Sequence, residues 1–447
     1  MSKPYPEYKD SGIEWIGKIP KHWNIKKLKH DYQLIMGQSP DSNDYLYNEN
    51  GTPFLQGNAE FGIKHPKPKI WCNKANKHAE KEDVLMSVRA PIGEINIADQ
   101  KYGIGRGLCA IKAQIKIYKY LYYLLFCLKE EFNRIGAGTT YPGISTNDIK
   151  NVSIISPPYN EQQAIASYLD HKTSQLDDTI AKKQRLIDLL EEERQSIINK
   201  AVSKGLNPNV KMKDSGIEWI GQIPEHWDMV KLKYLTYKIG SGVTPKGGAE
   251  VYLSSGIPLI RSQNVHFEGL DFTEMAFISE EIHSSMSNSK VKPNDVLLNI
   301  TGASIGRTCY IPRDFDEANV NQHVCILRPN KMVLTRYLYV LFTSKLGQTQ
   351  ISLSQTGSGR EGLNFENLKN FVFPIPDINE QNEILNKIDI DLHEITSSKN
   401  KIQKQIDLLK EYRQSLIFEA VTGKIDVREE AEAISTSEEL LSQEKND

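Results

Sequence analysis

Ser156-Pro-Pro-Tyr159 has the form (N/D/S)PP(Y/F/W), in which a polar side chain and a prolyl carbonyl can hold an amino group while the aromatic ring stacks on the base bearing it. That chemistry would suit methyl transfer to an exocyclic amine. It also requires a glycine-rich cofactor loop between a strand and a helix. The best candidate, Gly103-Ile-Gly-Arg-Gly107, instead leads into Leu108-Cys-Ala-Ile111, which reads as strand. A turn that starts a helix explains Ser156–Tyr159 without catalysis, since proline is favoured there. No GxxxxGK(S/T) phosphate loop is present. Asp148-Ile-Lys150 has only the distant Asp83 as partner for a nuclease-type PD…(D/E)xK set. His22 and His226 stand beside Trp23 and Trp227 in IPxHW turns, where aromatic packing is the better reading than catalysis or metal binding. The five cysteines, Cys72, Cys109, Cys127, Cys309 and Cys325, are far apart and form no CxxC pair. The expectation is therefore a chain with no catalytic residue and no metal ligand.

A second kind of chemistry is better supplied. Reading a base edge needs side chains that present paired donors or acceptors, chiefly Arg, Lys, Asn and Gln, on loops able to reach a groove. In the first half of the chain the candidates are Gln56, Asn58, Lys64, Lys67, Lys69, Arg89, Arg106, Thr139, Thr140 and Tyr141. In the second half they are Lys246, Arg261, Gln263, Asn264, Arg307, Gln322, Arg360 and Asn364. Arg261-Ser-Gln-Asn264 is the foremost run, because it follows an apolar strand and carries several groups capable of bidentate bonding. Lys67 and Lys69 suit phosphate rather than bases.

Net charge of −2 seems at odds with a nucleic-acid partner, but its distribution is uneven. Residues 425–447 hold eight acidic and two basic side chains, a local −6, so the remainder carries −2 + 6 = +4. Residues 21–150 hold nineteen basic and thirteen acidic side chains, a local +6. Charge thus permits DNA binding without requiring it. A chain of 447 residues is long enough for two or three domains, and 39% hydrophobic with 25% charged residues fits a soluble folded protein. No apolar run approaches the roughly 18 residues that span a bilayer. The opening MSKPYPEYKD has no apolar core of a signal peptide, so a cytoplasmic protein without a membrane partner is expected.

The elements that must position these groups come in duplicate. Lys9–His30 returns as Lys213–Tyr234 at an offset of 204, with sixteen of twenty-two positions identical. A second block, from Ile144, returns from Leu363 at an offset of 219, and Asp188–Val202 matches Asp407–Val421. Between these frames the sequences diverge, and the second insert is 219 − 204 = 15 residues longer. Residual likeness, as between Asp83-Val-Leu-Met-Ser-Val and Asp295-Val-Leu-Leu-Asn-Ile, shows one shared fold of short strands between Gly and Pro turns. Helical stretches over 118–132 and 334–346 complete a mixed α/β (α+β) insert. The motifs of the first paragraph do not survive duplication: Ile375-Pro-Asp-Ile378 replaces Ser156–Tyr159, Val320-Asn-Gln-His-Val324 has no glycine, and Asn367-Leu-Lys369 lacks the acid.

Each second frame block opens a long helix, with Asn160 or Asn379 as expected N-cap, Glu-Gln in the first turn, and an end near Gly205 or Gly423. Steps of four and three give the seam Ile165, Leu169, Lys172, Leu176, Ile180, Lys183, Ile187, Leu190, Arg194, Ile197, Ala201. The second seam is Ile384, Ile388, Asp391, Ile395, Lys399, Ile402, Ile406, Leu409, Arg413, Leu416, Ala420. The polar breaks are expected to fall at the same register in both helices. A sustained 3.5-residue repeat predicts that the two helices form a coiled coil, antiparallel because a globular insert lies between them.

The order of divergent domain, long helix, divergent domain, long helix resembles the specificity subunits of type I restriction-modification systems over essentially the whole chain. The duplicated SGIEWIGxIPxHW opening, the strands near Asp83 and Asp295, and the Glu-Gln helix starts after Pro157-Pro158 and Pro376 carry that resemblance. It implies two target-recognition domains (1–159 and 206–378), two spacer helices (160–205 and 379–424) and an acidic, flexible tail (425–447), with internal pseudo-twofold symmetry. It further implies a non-catalytic subunit that reads a bipartite, asymmetric double-stranded DNA site. Its partners would be two methyltransferase subunits using S-adenosylmethionine to modify adenine and two restriction motor-nuclease subunits using ATP and Mg. No cofactor is expected in this chain itself.

Overall fold

The structure is a computed structural model, and it describes residues 3–113, 117–137, 143–355 and 362–443. The chain divides into two compact units, Met1–Lys183 with Lys404–Asp447, and Gln184–Gln403. Thr139, Thr140, Tyr141 and Arg360 lie outside the described residues.

In the first unit a four-stranded antiparallel sheet has the order Tyr32–Met36, Leu108–Ala113, Val84–Ser87, Ile95–Ile97. Its central strands are short apolar runs buried on both faces, as continuous rather than alternating hydrophobicity requires. A second sheet contains Pro53–Leu55 parallel to Tyr102–Ile104, with Ile70–Trp71 and His78–Ala79 on its edges. The helix Tyr118–Cys127 buries Tyr120, Leu121, Leu124 and Leu125.

The second unit repeats this plan. Its four strands, Thr236–Ser241, Val324–Pro329, Val296–Asn299 and Thr308–Tyr310, take the same order, and Ile257–Ile260 runs parallel to Asn319–Val320. The helix Thr335–Thr343 occupies the place of Tyr118–Cys127. The helical stretches expected over 118–132 and 334–346 are each broken in two, with second helices at Lys129–Gly136 and Lys345–Gln355. In the second unit the break has a local cause. The Ser344 hydroxyl donates to Leu341 O (2.7 Å) and accepts from Leu346 N (3.2 Å), turning the chain there.

The long helices span Tyr159–Lys204 and Ile378–Val421. Neither expected N-cap holds. Asp377 caps the second helix, its carboxylate accepting from Glu380 N at 2.9 Å, and the first starts on Pro158, whose carbonyl accepts from Glu161 N and Gln162 N. Both helices end on a left-handed glycine, Gly205 (φ 72°) and Gly423 (φ 69°), as the helix-stop pattern requires.

The helices pair antiparallel, and each pairing lies within one unit. In the first unit Lys183 donates to Gln405 (2.6 Å) and Arg413 pairs with Asp177 (2.9 Å); in the second Lys399 meets Glu191 at 2.5 Å. From Asp178 to Leu190 only the seam residues Ile180, Lys183, Ile187 and Leu190 are shielded from solvent. The expected common register does not hold for the central polar breaks: Lys183 and Lys399 stand one seam step apart, and they meet Gln405 and Glu191 respectively. Arg194 and Arg413, which do share a register, approach Tyr339 and Tyr122 at the edge of their units' globular parts.

Each core is completed by the far end of the other repeat's helix. Leu416, Ile417, Ala420 and Val421 join the core around Trp23, and Ile198, Ala201 and Val202 join the core around Trp227. A methyl group on Gly423 would come within 2.9 Å of the Trp23 ring, so this contact needs glycine. The acidic segment, expected as a flexible tail, instead contains the helix Arg428–Gln443. Val427, Ala431 and Ile434 are spaced by four and three and place one apolar stripe on the first unit's core, a pattern that the charge count conceals. Among the described residues no helix is long and apolar enough to cross a membrane.

Candidate nucleic-acid interface

The frame of each unit is tied to its long helix by one carboxylate. Glu161 accepts from Trp23 Nε1 (2.9 Å) and Tyr5 OH (3.0 Å), and His22 Nε2 lies 2.6 Å from its other oxygen. Glu380 accepts from Trp227 Nε1 (3.0 Å) and meets His226 Nε2 at 2.8 Å. The following glutamines hold the proline turns: Gln162 donates to Pro157 O (2.8 Å) and Gln381 to Pro376 O (3.0 Å). The histidines of the IPxHW turns thus have a structural partner beyond the aromatic packing expected of them. Insert and helix are joined a second time by Lys119 with Asp170 (2.6 Å) and Arg336 with Asp389 (2.6 Å). Burial would raise the Asp170 carboxyl, but hydrogen bonds from Lys119 and Tyr123 and the charge of Lys64 outweigh it and hold it below its usual range.

On these frames the inserts bring separate loops to one sheet edge. In the first unit Gly37 N donates to Leu108 O, Gln38 N to Ile104 O, Gly105 N to Leu55 O and Val88 N to Gly107 O, all at 2.8–2.9 Å. Gln56, Asn58, Arg89 and Arg106 therefore come together at this edge. The glycines explain the closeness: a Cβ on Gly37 would stand 2.1 Å from Gly105 O, and one on Gly107 would stand 2.6 Å from Gln56 O. Gly103–Gly107 joins strand to strand, so it has no helix start to offer a phosphate. Lys64 departs from the group, meeting Asp170 on the long helix at 3.4 Å, while Lys67 and Lys69 are exposed on the segment leading to Ile70–Trp71.

In the second unit Gly242 N donates to Asn321 O (3.1 Å), Asn321 N to Ile260 O (3.0 Å), Asn299 N to Arg307 O (2.9 Å) and Leu363 N to Ile300 O (2.8 Å). These bonds gather the loops bearing Arg261, Gln263, Arg307, Gln322 and Asn364. Lys246 is exposed in the loop after the strand Thr236–Ser241. Two expectations need correction. Asn264 is fully buried, its amide accepting from Arg261 N (3.0 Å) and donating to Asp271 O (3.0 Å), so it closes its own turn and has no exposed edge for a base. Asn364 is the N-cap of Phe365–Lys369, its side-chain oxygen accepting from Asn367 N at 2.8 Å. Arg261 is also engaged, lying over the Tyr252 ring and donating to Glu274 O at 2.6 Å, so contact with a base would follow its release.

Sequence reasoning passed over Gln38, exposed beside Arg106, and over Asn299, Thr301 and His323, which organise the second edge. A signal existed in the repeated turn Gly37-Gln-Ser-Pro40 and Gly242-Val-Thr-Pro245. The rival chemistry is absorbed by structure: the Ser156 hydroxyl donates to Asp31 Oδ2 (2.8 Å), and Asp148 caps the turn at Ser145. Among the described residues no group of three or more His, Cys, Asp or Glu could hold a metal ion.

Residues 20–192 and 224–408, one stretch in each repeat, match the family described as Type I restriction modification DNA specificity domain. The chain belongs to this family. The specificity-domain chain is 38% identical over 197 residues to the "Putative type I restriction enzyme MjaX specificity subunit" of Methanocaldococcus jannaschii, an alignment spanning 43% of this chain and 45% of that one. It therefore covers less than half the length of that relative. Against the type I restriction enzyme EcoBI specificity subunit of Escherichia coli it is 26% identical over 361 residues, covering 78% of this chain and 75% of the relative. A solved structure, described as the "Structural basis underlying complex assembly and conformational transition of the type I R-M system", shares the fold with a TM-score of 0.68 at 17% identity, over 91% of this chain and 99% of the other.

Proposed function

We propose that this specificity-domain chain reads a bipartite, asymmetric site on double-stranded DNA and performs no chemistry itself. The observation that carries the proposal is the contrast between frame and edge. The Trp–His–Glu tie and the basic residue on the insert helix paired with Asp170 or Asp389 are repeated, whereas the loops gathered at the sheet edges differ in nearly every exposed polar side chain. Two equal supports bearing two different readers suit two different half-sites. Lys67 and Lys69 are available to phosphate, and Gln56, Arg106 and Gln322 to base edges.

Two methyltransferase subunits would dock on the conserved helices, flip the target adenine from the duplex and methylate it with S-adenosylmethionine. Two motor-nuclease subunits, using ATP and Mg, would restrict unmodified DNA in the cytoplasm. The test is single-molecule sequencing of methylated bases in cells with and without this gene and its methyltransferase. A split motif that appears only with both is expected; methylation by the purified chain alone, or an assembled complex without sequence preference, would overturn the proposal.

A further inference from the structure

Gln322 is held by more than its own loop. Its side-chain Nε2 lies 2.8 Å from His323 Nε2, and His323 Nδ1 lies 2.5 Å from Thr301 Oγ1. The amide nitrogen has only hydrogens to offer, so the ring nitrogen facing it must accept. In that pairing the other ring nitrogen, Nδ1, carries the hydrogen donated to the Thr301 oxygen. The backbone fixes the ring in turn: His323 N donates to Asn321 Oδ1 (3.1 Å), and Ile300 N to His323 O (3.0 Å). Gln322 itself is exposed at the gathered edge.

The relay uses one N–H of the Gln322 amide and leaves one N–H and the carbonyl oxygen. One donor beside one acceptor on a glutamine is the complement of adenine N7 and N6 in the major groove. From this geometry we infer that Thr301 and His323 are positioning residues for Gln322, and that Gln322 selects adenine at one position of the half-site read by the second unit. The inference rests on the DNA-reading function proposed above. Among the described residues the first unit has no His–Thr relay, and the exposed Gln56 donates instead to Tyr45 OH at 3.1 Å. There Val88 N donates to Gly107 O, as Ile300 N does to His323 O, and a Cβ on Gly107 would strike Gln56 O at 2.6 Å. Arg106 precedes that glycine, and a guanidinium suits guanine O6 and N7.

The test uses the full chain assembled with its methyltransferase, read by methylation-motif sequencing and by competition with duplexes altered at single base pairs. Gln322→Ala is expected to lower preference for adenine at one base pair by about tenfold or more. His323→Ala is expected to relax the same base pair by roughly threefold to tenfold. His323→Gln, whose Oε1 can accept the Gln322 N–H, should restore it, and Gln322→Glu should move the preference toward cytosine, because a carboxylate only accepts. The other half-site and affinity for random DNA should stay unchanged.

The inference is overturned if His323→Ala leaves that base pair at the wild-type level or weakens binding to all sequences alike. It is also overturned if Gln322→Ala moves no base pair, or moves one that is not adenine. Thr301→Val, nearly isosteric, covers the case in which His323→Ala fails to fold: partial relaxation at the same base pair supports the relay, and none overturns it. A wild-type complex without any preferred sequence would instead remove the function on which the inference rests.

Discussion

The two units solve the same mechanical problem with different amounts of support. In the first, Glu161 is almost fully buried and serves Tyr5, His22 and Trp23; in the second, Glu380 serves His226 and Trp227 among the described residues, and its side chain is 23% exposed. The balance reverses inside the inserts. Asp83 caps Glu80 N, and burial pushes its carboxyl up, whereas the fully buried Asp295 caps Lys292 N and is gripped by Arg328 through two bonds of 2.7 and 2.8 Å. The candidate edges differ too: Gln322 is held by a His323–Thr301 relay, whereas in the first unit Gln56 rests on Tyr45 OH and the Arg106 side chain has no hydrogen-bond partner among the described residues. What persists is the contact that ties two remote elements together. What varies is the local support of a loop, which can change without moving the frame.

The comparison can be broken most visibly at the inserts. Replacing residues 33–150 with the equivalent part of another family member is expected to change one half of the methylated motif completely and leave the other half intact, as read by methylome sequencing. Change in both halves would mean that the units do not read independently.

Next in size is the carboxylate tie. Glu161→Ala strands two buried donors and should cost about 3 kcal/mol, while Glu380→Ala, at a wetter site, should cost about half as much. Urea unfolding of the two full-length variants gives both numbers, and equal losses would refute the difference in support.

Within the inserts the order should invert. Asp295→Asn weakens the grip on Arg328 and should cost about 2 kcal/mol, below the range for a fully buried pair because Arg328 remains partly exposed. A smaller loss, about 1 kcal/mol, is expected for Arg261→Ala, which gives up the Glu274 carbonyl and the Tyr252 ring. Arg106→Ala should leave stability unchanged and relax one base position by about 1 to 3 kcal/mol in binding competition. A stability loss for Arg106→Ala, or none for Arg261→Ala, would reverse their assigned roles.

The smallest effects are in pH. The Asp83 carboxyl is raised by burial, so its favourable contribution is present below the unfolded value near pH 4 and is lost as pH rises through the folded value. Asp83→Asn should therefore match the parent in acid and be slightly more stable at pH 7, by under about 1 kcal/mol. Asp170 behaves oppositely: held low, it stabilises above about pH 4, and that contribution disappears as pH falls through the folded value. The Asp170→Asn deficit should vanish in acid; a deficit that grows there would contradict the sign.

The sequence alone determined the duplication, the two offsets, the pairing of the long helices and the α/β character of the inserts. Identity and periodicity are properties of neighbouring positions, and Ile180, Lys183, Ile187 and Leu190 announce their shared face without help from the fold. Even the family resemblance rests on such local blocks. The acidic segment misled, because counting Glu429, Glu430 and Glu432 hides the stripe of Val427, Ala431 and Ile434 between them. Only the tertiary structure decided which polar side chains remain available at an edge. Asn264 and Gln322 look alike in sequence, yet one amide closes a buried turn with Asp271 and the other stands exposed against His323. The partners that decide this, such as Trp23 for Glu161 at 138 residues' distance or Thr301 for His323 at 22, come from separate strands and turns. A hydrogen bond is satisfied by whatever the fold brings within about 3 Å, and spacing along the chain carries no record of that.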